Sequence, residues 1–187
     1  MLSSKLLFSE SNLEIILLKF YRRMKKLYLV RHAKSSWDNP DLDDFDRPLN
    51  KRGKRDAPFM GELLKKLNVN PDLIISSPAK RAYTTAKEIA KILGYPKRMI
   101  TKNEDVYLAS AGELLSLINS IPEEVSSVMI FGHNPGFTQI CNLLSNANIL
   151  NIPTSGFVEI HFETENWKDI TPGSGKLVAF EYPKKYR

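Results

Sequence analysis

The feature that most constrains the fold is an alternation of short apolar runs with longer amphipathic segments along most of the chain. The apolar runs predict strands at Leu27–Arg31, Asp72–Ser76 and Val128–Gly132. Apolar residues at helical spacing predict helices at Lys51–Leu67, Ala79–Leu93, about Gly112–Ile121 and Pro135–Leu144. Strands that alternate with helices in this way indicate βαβ units, and therefore a mainly parallel central sheet with helices on both faces.

The tail of the chain has a different pattern. Gly156–Phe162 and Lys176–Tyr182 are β-type runs, and a turn-forming stretch at Asp169–Gly173 separates them. They are predicted to pair as antiparallel strands that close the sheet. The predicted fold class is therefore α/β. Because neither an internal repeat nor a linker is visible, residues 25–187 are expected to form one domain.

Residues 1–24 are predicted to be an N-terminal extension that is either poorly ordered or a short helix. Four apolar residues of this segment fall on one helical face, namely Leu13, Ile16, Leu17 and Phe20. A basic run follows them. A peripheral membrane helix or a partner-binding helix is the alternative interpretation. Met24 stands directly before the first predicted strand and is a candidate start of the protein.

The composition excludes several classes of protein. The single cysteine, Cys141, excludes an intrachain disulfide framework and predicts a reducing, cytoplasmic location. Three histidines and one cysteine argue against a structural zinc site, and no metal or cofactor is predicted. No apolar run approaches the roughly 18 residues of a transmembrane segment. The net charge of +6, without a basic stripe interleaved with aromatic residues, favours an anionic substrate and predicts no nucleic-acid partner.

Three predicted strands end in residues with unusual chemistry. Arg31-His32 follows the first strand, residues 76–81 (SSPAKR) follow the second, and residues 132–135 (GHNP) follow the third. Because these strands are expected to run parallel, their ends should meet at one edge of the sheet. Ser77 and Asn134 are predicted to cap the next helices, with Pro78 and Pro135 in the first turns. Free N–H groups at helix starts favour phosphate binding.

The residues at these strand ends match the requirements of phosphoryl transfer, which are a nucleophile and several fixed positive donors. Arg31 and Arg81 offer forked guanidinium donors. A neutral imidazole at His32 can attack phosphorus, and His133 can add a donor. A lone histidine is usually a surface or core residue, but this combination favours catalysis.

Five segments of the chain, in this order, resemble motifs of the histidine phosphatase (phosphoglycerate mutase-like) superfamily. They are LYLVRHAKSSW, DFDRPLNKRGKRDA, DLIISSPAKRAYTTA, VMIFGHNPG and NIPTSG. They are most similar to the small SixA-type phosphohistidine phosphatase branch, and the resemblance covers about Lys26 to Tyr182. It implies a phosphoglycerate mutase-like fold, with His32 as the phospho-accepting nucleophile, Arg31 and Arg81 as phosphate ligands, and His133 as the second histidine of the pocket.

The resemblance implies roles for two further residues. Arg47 matches a family arginine near the phosphate, and Glu104 stands at a place comparable to that of the glutamate general acid in larger members. From the residues alone, Arg47 could instead pair with one of the nearby carboxylates, which are Asp43, Asp44 and Asp46. The acidic run Asp41–Asp46 is interpreted as a solvated loop, with substrate selection above the pocket as the alternative.

The expected function is that of a metal-independent phosphatase that works through a phosphohistidine intermediate. Its expected partner is a phosphorylated substrate, and phosphohistidine of a protein is favoured because the short chain leaves no room for insertions that enclose a pocket. Two alternatives stay open, namely a phosphatase for small phosphomonoesters and a non-catalytic module that binds phosphorylated ligands. Outside these motifs, His161 and Cys141 are interpreted as structural.

Overall fold

A computed structural model describes residues 24–187 and is built around a sheet of six strands. The strands are β1 Lys25–Arg31, β2 Leu73–Ser76, β3 Thr101–Lys102, β4 Ser127–Gly132, β5 Phe157–Phe162 and β6 Gly175–Glu181. Their order across the sheet is β3-β2-β4-β1-β5-β6, and the β3-β2, β2-β4 and β4-β1 pairs are parallel. The β1-β5 and β5-β6 pairs are antiparallel. Apart from Met24, the predicted extension lies outside the described residues.

The helices follow the predicted pattern. They are α1 Lys51–Lys66, α2 Lys80–Leu93, α3 Ala111–Asn119 and α4 Gly136–Ser145. The predicted α/β class, with a mainly parallel sheet and an antiparallel closing pair, is confirmed. Only β3 was not predicted, because a strand of two residues carries no periodicity and forms through its parallel pairing with β2. Within residues 24–187, no helix has both the length and the apolar character to cross a membrane.

The core lies in two layers, one on each face of the sheet. Because successive side chains of a strand point to opposite faces, alternate residues of β1 enter different layers. Leu27 and Leu29 pack with residues of α3 and α4, whereas Tyr28 and Val30 pack with residues of α1 and α2. All six residues of β4 are buried, as expected for a central strand that is covered on both faces. The prediction of helices on both faces is therefore confirmed.

The predicted helix caps after β2 and β4 are wrong. Both α2 and α4 begin later than expected, so Pro78 lies before α2 and Pro135 stands at the N-cap of α4. Neither N-cap position has a side-chain capping bond. The side chains expected to cap these helices have tertiary partners, and Ser77 Oγ also accepts from the N–H of the N-cap residue Ala79 at 3.3 Å. Ser77 Oγ lies 2.8 Å from His133 Nε2, and Asn134 donates to Asn151 Oδ1 at 2.8 Å.

The start of α1 packs tightly against the loop that follows β1. Asn50 caps α1 by accepting from Gly53 N at 2.9 Å, and the Asn50 N–H donates to Lys34 O at 3.0 Å. A Cβ atom on Gly53 would lie 2.2 Å from Lys34 O. Only glycine therefore allows the helix to approach this loop so closely.

Substitution of Gly53 by alanine is expected to destabilise the protein, because the added methyl group would overlap a backbone carbonyl. The expected loss is about 1–3 kcal/mol in the free energy of unfolding, measured by urea denaturation. Gly112→Ala is the matched control, since nothing lies within 4 Å of the added Cβ. It should leave stability unchanged or raise it by up to about 1 kcal/mol. Equal stability of the two variants would contradict the tight contact at Gly53.

Candidate active site

The ends of the three central parallel strands meet at one edge of the sheet, as predicted. The backbone pairing continues past them, because His32 N donates to Gly132 O at 3.0 Å and Ser77 N donates to Phe131 O at 2.9 Å. The rings of His32 and His133 lie with their centroids 5.1 Å apart. The two histidines are thus fixed side by side by continuous sheet hydrogen bonds.

The hydrogen bonds of His32 determine which ring nitrogen carries the proton. His32 Nδ1 lies 2.8 Å from Ala33 O, and a carbonyl oxygen is only an acceptor, so Nδ1 carries the proton. Burial, with added effects of the Arg81 and Arg31 charges, lowers the pKa of His32 to about 4. The ring is therefore neutral near pH 7. Its unprotonated Nε2 accepts from Arg81 Nε at 3.3 Å.

The guanidinium of Arg81 connects the parts of the site. It lies in the first turn of α2, is buried, and donates to His32 as described. It also donates through Nη2 to Asp44 Oδ2 at 2.7 Å and through Nη1 to the Asp44 backbone oxygen. Nη2 lies 3.4 Å from His133 Nδ1 as well. Arg81 therefore orients both histidines and carries a positive charge between them.

His133 is also neutral and is held in one tautomer. Burial is the main cause that lowers its pKa to about 3, and the nearby His32 and Arg81 add to the effect. Because an arginine only donates, Nδ1 accepts from Arg81 and the single ring proton is on Nε2. That proton is directed to Ser77 Oγ at 2.8 Å. In this arrangement His133 supports Arg81, and it would donate to a substrate only after gaining a second proton.

Arg31 has a donor group without a partner. Its Nη1 donates to Ile152 O at 2.7 Å and to Asn151 Oδ1 at 3.2 Å. Asn134 Nδ2 donates to the same two oxygens, at 3.1 and 2.8 Å, and thereby fixes this side of the site. The Arg31 Nε–H is buried and has no hydrogen-bond partner within residues 24–187. A buried unpaired donor of this kind is suited to an oxyanion.

Asp44 was not predicted as a site residue, yet its carboxylate lies over the donors of the site. It accepts from Arg81, from Arg47 Nη1 at 3.0 Å and from the Tyr107 hydroxyl at 3.0 Å. Burial alone would raise the pKa of Asp44, but these hydrogen bonds outweigh it and hold that pKa below its ordinary value. The carboxylate is therefore charged and uses Arg81 donors that a phosphate would need.

Arg47 is directed toward its own loop. Its Nε donates to Ser36 O at 3.0 Å, and its Nη2 donates to Ser35 Oγ at 2.9 Å. The guanidinium carbon lies 3.1 Å from the centroid of the exposed Trp37 ring. Together with the bond to Asp44, these contacts correspond to the pairing with a nearby carboxylate that the sequence left open. Arg47 thus holds the loop that carries Asp44.

Glu104 is not brought into contact with the two histidines. It is exposed, and its carboxylate has no hydrogen bond or ion pair among residues 24–187. From the same segment, Tyr107 enters the site, with its hydroxyl on Asp44 and its ring centroid 5.4 Å from that of His133. Tyr107 was missed because a single tyrosine three residues after Glu104 gives no separate signal. The general-acid role of Glu104 stays a prediction.

The remaining reactive side chains lie away from this edge of the sheet. Cys141 is buried in the core, and burial raises the pKa of its thiol to about 11. His161 lies on β5 and pairs with Glu159 at 2.6 Å. In the described part of the chain, no group of three or more histidine, cysteine, aspartate or glutamate side chains is arranged to hold a metal ion.

Comparison with known proteins agrees with this geometry. Residues 27–106 match the family model of the histidine phosphatase superfamily (branch 1). The SixA protein of Agrobacterium tumefaciens is 31% identical, and the match covers 85% of this chain and 98% of that chain, with a TM-score of 0.72. This chain belongs to the histidine phosphatase superfamily. Within it, the chain is of the SixA type and is a phosphatase.

Two further proteins resemble this histidine phosphatase. The protein histidine phosphatase SixA, solved with tungstate, is 21% identical over 87% of this chain and 99% of that chain, with a TM-score of 0.71, and shares the fold. An uncharacterised chloroplast protein of Arabidopsis thaliana is 31% identical over 171 residues, which are 85% of this chain and 78% of that protein. The resemblance read from the motifs is therefore confirmed.

The lowered pKa values of the two histidines predict a pH dependence of stability. Between about pH 4 and 6.5, the unfolded chain binds protons at these histidines that the folded protein does not, so stability should rise with pH in this window. We expect the free energy of unfolding in urea to fall as pH is lowered through the window. The fall should be smaller in His32→Gln, which removes one of the groups. An equal fall in the free energy of unfolding for the wild type and His32→Gln would contradict a neutral, buried His32 imidazole.

The position of Asp44 predicts that its charge competes with phosphate. Asp44→Asn should bind inorganic phosphate about fivefold more tightly, because it removes a negative charge that occupies Arg81. Isothermal titration calorimetry at fixed ionic strength measures the change. Asp41→Asn, in the same loop and exposed, is the matched control and should leave affinity unchanged. Weaker binding by Asp44→Asn would show that the carboxylate orients Arg81 for phosphate instead of competing with it.

Proposed function

We propose that this histidine phosphatase is metal-independent, that it transfers a phosphoryl group to Nε2 of His32, and that its substrate is phosphohistidine of a protein. The observation that carries the proposal is the neutral His32 ring. Its Nδ1 proton is held by the Ala33 carbonyl, which leaves Nε2 unprotonated, with its lone pair accepting from Arg81 Nε at 3.3 Å. A nucleophile without a proton to lose needs neither a general base nor a metal to activate it.

The proposed reaction has two steps at one phosphorus atom. In the first, His32 Nε2 forms a bond to phosphorus while the P–N bond of the substrate breaks, and the leaving imidazole takes a proton from solvent. In the second, water attacks the same phosphorus, the Nε2–P bond breaks, and inorganic phosphate leaves with Nε2 unprotonated again. An imidazole leaves more easily than an alkoxide, so a strong general acid is not required.

The proposed stabilisation of the transition state comes from the two arginines. Arg81 approaches Nε2 directly, and Arg31 offers its unpartnered Nε–H. Charge-assisted bonds from guanidinium groups to phosphoryl oxygens are strong in a partly dry site. The Asp44 carboxylate must give up its Arg81 contacts when phosphate enters, because both anions need the same donors.

The short connection after β3 supports a protein substrate. Only a single 3-10 turn, Glu104–Val106, lies between β3 and α3, and no long insertion covers the pocket there. Two large apolar side chains of the loops around the site are exposed, with Trp37 at 72% and Leu108 at 55%. Exposed apolar groups beside a polar site are typical of a surface that contacts another protein. The buried Cys141 agrees with the proposed cytoplasmic location.

Loss of the nucleophile should abolish turnover without unfolding the protein. His32→Ala is expected to hydrolyse neither phosphohistidine nor an aryl phosphate, because no other group can accept the phosphoryl group. Rapid quench with ³²P-labelled substrate should trap acid-labile phosphate on the wild type only. His161→Ala removes a histidine outside the site and should keep wild-type turnover. Normal turnover by His32→Ala would overturn the proposed mechanism.

Substrate class and metal independence are tested with the wild-type protein. In excess chelator, kcat/KM for a chemically phosphorylated histidine-containing phosphotransfer domain should be unchanged and should exceed that for a panel of small phosphomonoesters. Higher kcat/KM on the small esters would favour the alternative of a small-molecule phosphatase. Activity that falls in chelator and returns with added magnesium or zinc would show a metal requirement.

A further inference from the structure

A groove with a strong excess of positive charge shares Arg31 with the candidate active site. Its volume is about 510 Å³, and Arg31 of the phosphate site forms part of its wall. Cationic side chains from three separate parts of the chain line it: Arg31, Lys34, Arg52, Arg55, Lys184 and Arg187. The only acidic side chain in the lining is Asp56. The groove therefore extends the positive field of the phosphate site along the surface.

The charges of this basic groove are only partly compensated within the protein. Asp56 is buried, and its carboxylate is shared by Arg187 at 2.9 Å, Arg55 at 3.1 Å and Arg52 at 4.0 Å. One negative charge thus serves three guanidinium groups. Of the other three cations, Lys34 and Lys184 have no ion pair among residues 24–187, and Arg31 donates to the neutral oxygens of Asn151 and Ile152.

The position of the cations at the start of α1 opposes helix stability. The N-terminus of a helix carries a partial positive charge, so acidic residues stabilise its first turn and basic residues destabilise it. The first turn of α1 contains no acidic residue, and Arg52 and Arg55 follow its N-cap closely. Gly53 holds this basic helix start against the loop after His32. The arrangement is unfavourable for the helix and suits an anionic ligand beside the nucleophile.

We propose that the basic groove binds an acidic segment of the protein substrate next to its phosphohistidine. The charged groups lie at an open rim, with Arg52 and Arg55 side chains 46% and 61% exposed, and only three of the six cations meet at Asp56. Such spacing suits several carboxylates along a chain better than a single second phosphate. Pro153, Tyr182 and Pro183 add an apolar wall for the backbone and side-chain stems of that segment. The proposal rests on the phosphohistidine phosphatase function proposed above.

The test compares two phosphohistidine peptides that differ only in flanking charge, four glutamates in one and four glutamines in the other. Wild-type kcat/KM should be about tenfold higher on the glutamate peptide at low salt, as a few solvent-exposed ion pairs would give. Added salt should reduce the preference, because it screens exposed charges. The groove variant Arg52→Gln/Arg55→Gln/Lys184→Gln should lower the preference to about one.

The matched control is Lys65→Gln/Lys66→Gln/Lys91→Gln, which makes the same change in charge at exposed positions. Lys65 and Lys66 are at the other end of α1, roughly 20 Å from Arg52. This control should keep the wild-type preference. If the groove variant does not fold, the salt dependence of the wild-type preference decides the question on its own.

The outcomes separate the two proposals. Equal wild-type rates on both peptides, or a preference that survives in the groove variant or at high salt, would overturn the groove proposal and leave the phosphatase function intact. Turnover of neither peptide, with hydrolysis of an aryl phosphate, would overturn the phosphohistidine substrate and the groove proposal with it. Stronger inhibition by a short single-stranded RNA than by a glutamate-rich peptide would reassign the groove to nucleic acid.

Discussion

The guanidinium of Arg81, which follows β2, contacts His32 after β1, His133 after β4 and the loop that carries Asp44. It is buried, and a buried cation is costly unless it has a charged or polar partner. Asp44 supplies the negative charge, while His32 accepts from Nε and His133 accepts from Nη2. The site is therefore organised around the need of one buried cation for an anion. In the proposed reaction, a phosphoryl group would satisfy that need in place of Asp44.

The sheet explains why this cation can reach both histidines. The parallel strands β1, β4 and β2 are neighbours, so the residues that follow them are held a strand spacing apart. Backbone hydrogen bonds that continue past the strand ends fix His32 beside Gly132 and Ser77 beside Phe131. The rigid part of the site thus comes from the sheet. The anionic partner, Asp44, comes from a loop that Arg47 holds through Ser35 and Ser36.

The parts of the molecule that depend on local pattern could be predicted from the sequence, and those that depend on distant partners could not. Apolar periodicity located the helices, and the parallel arrangement placed His32 and His133 together. The caps at Ser77 and Asn134 were wrong because the N-cap positions fall on Ala79 and Pro135, and both side chains bind tertiary partners. Asp44 was taken for a solvated residue because its contact with Tyr107 spans 63 positions. Such a contact between distant residues forms only on folding, so it gives no recognisable spacing in the sequence.

The hydrogen bond between His32 Nδ1 and the Ala33 carbonyl has a consequence for the chemical identity of a phosphorylated enzyme. A histidine has two nitrogens that can carry a phosphoryl group, and free imidazole chemistry yields both positional isomers. Here the Ala33 carbonyl accepts from Nδ1, so the proton stays on that nitrogen. The buried Ala33 backbone holds the ring in this orientation. Phosphorylation at His32 would therefore give one regioisomer, the tele form on Nε2. The main chain, rather than any side chain, would then determine the regiochemistry of the reaction.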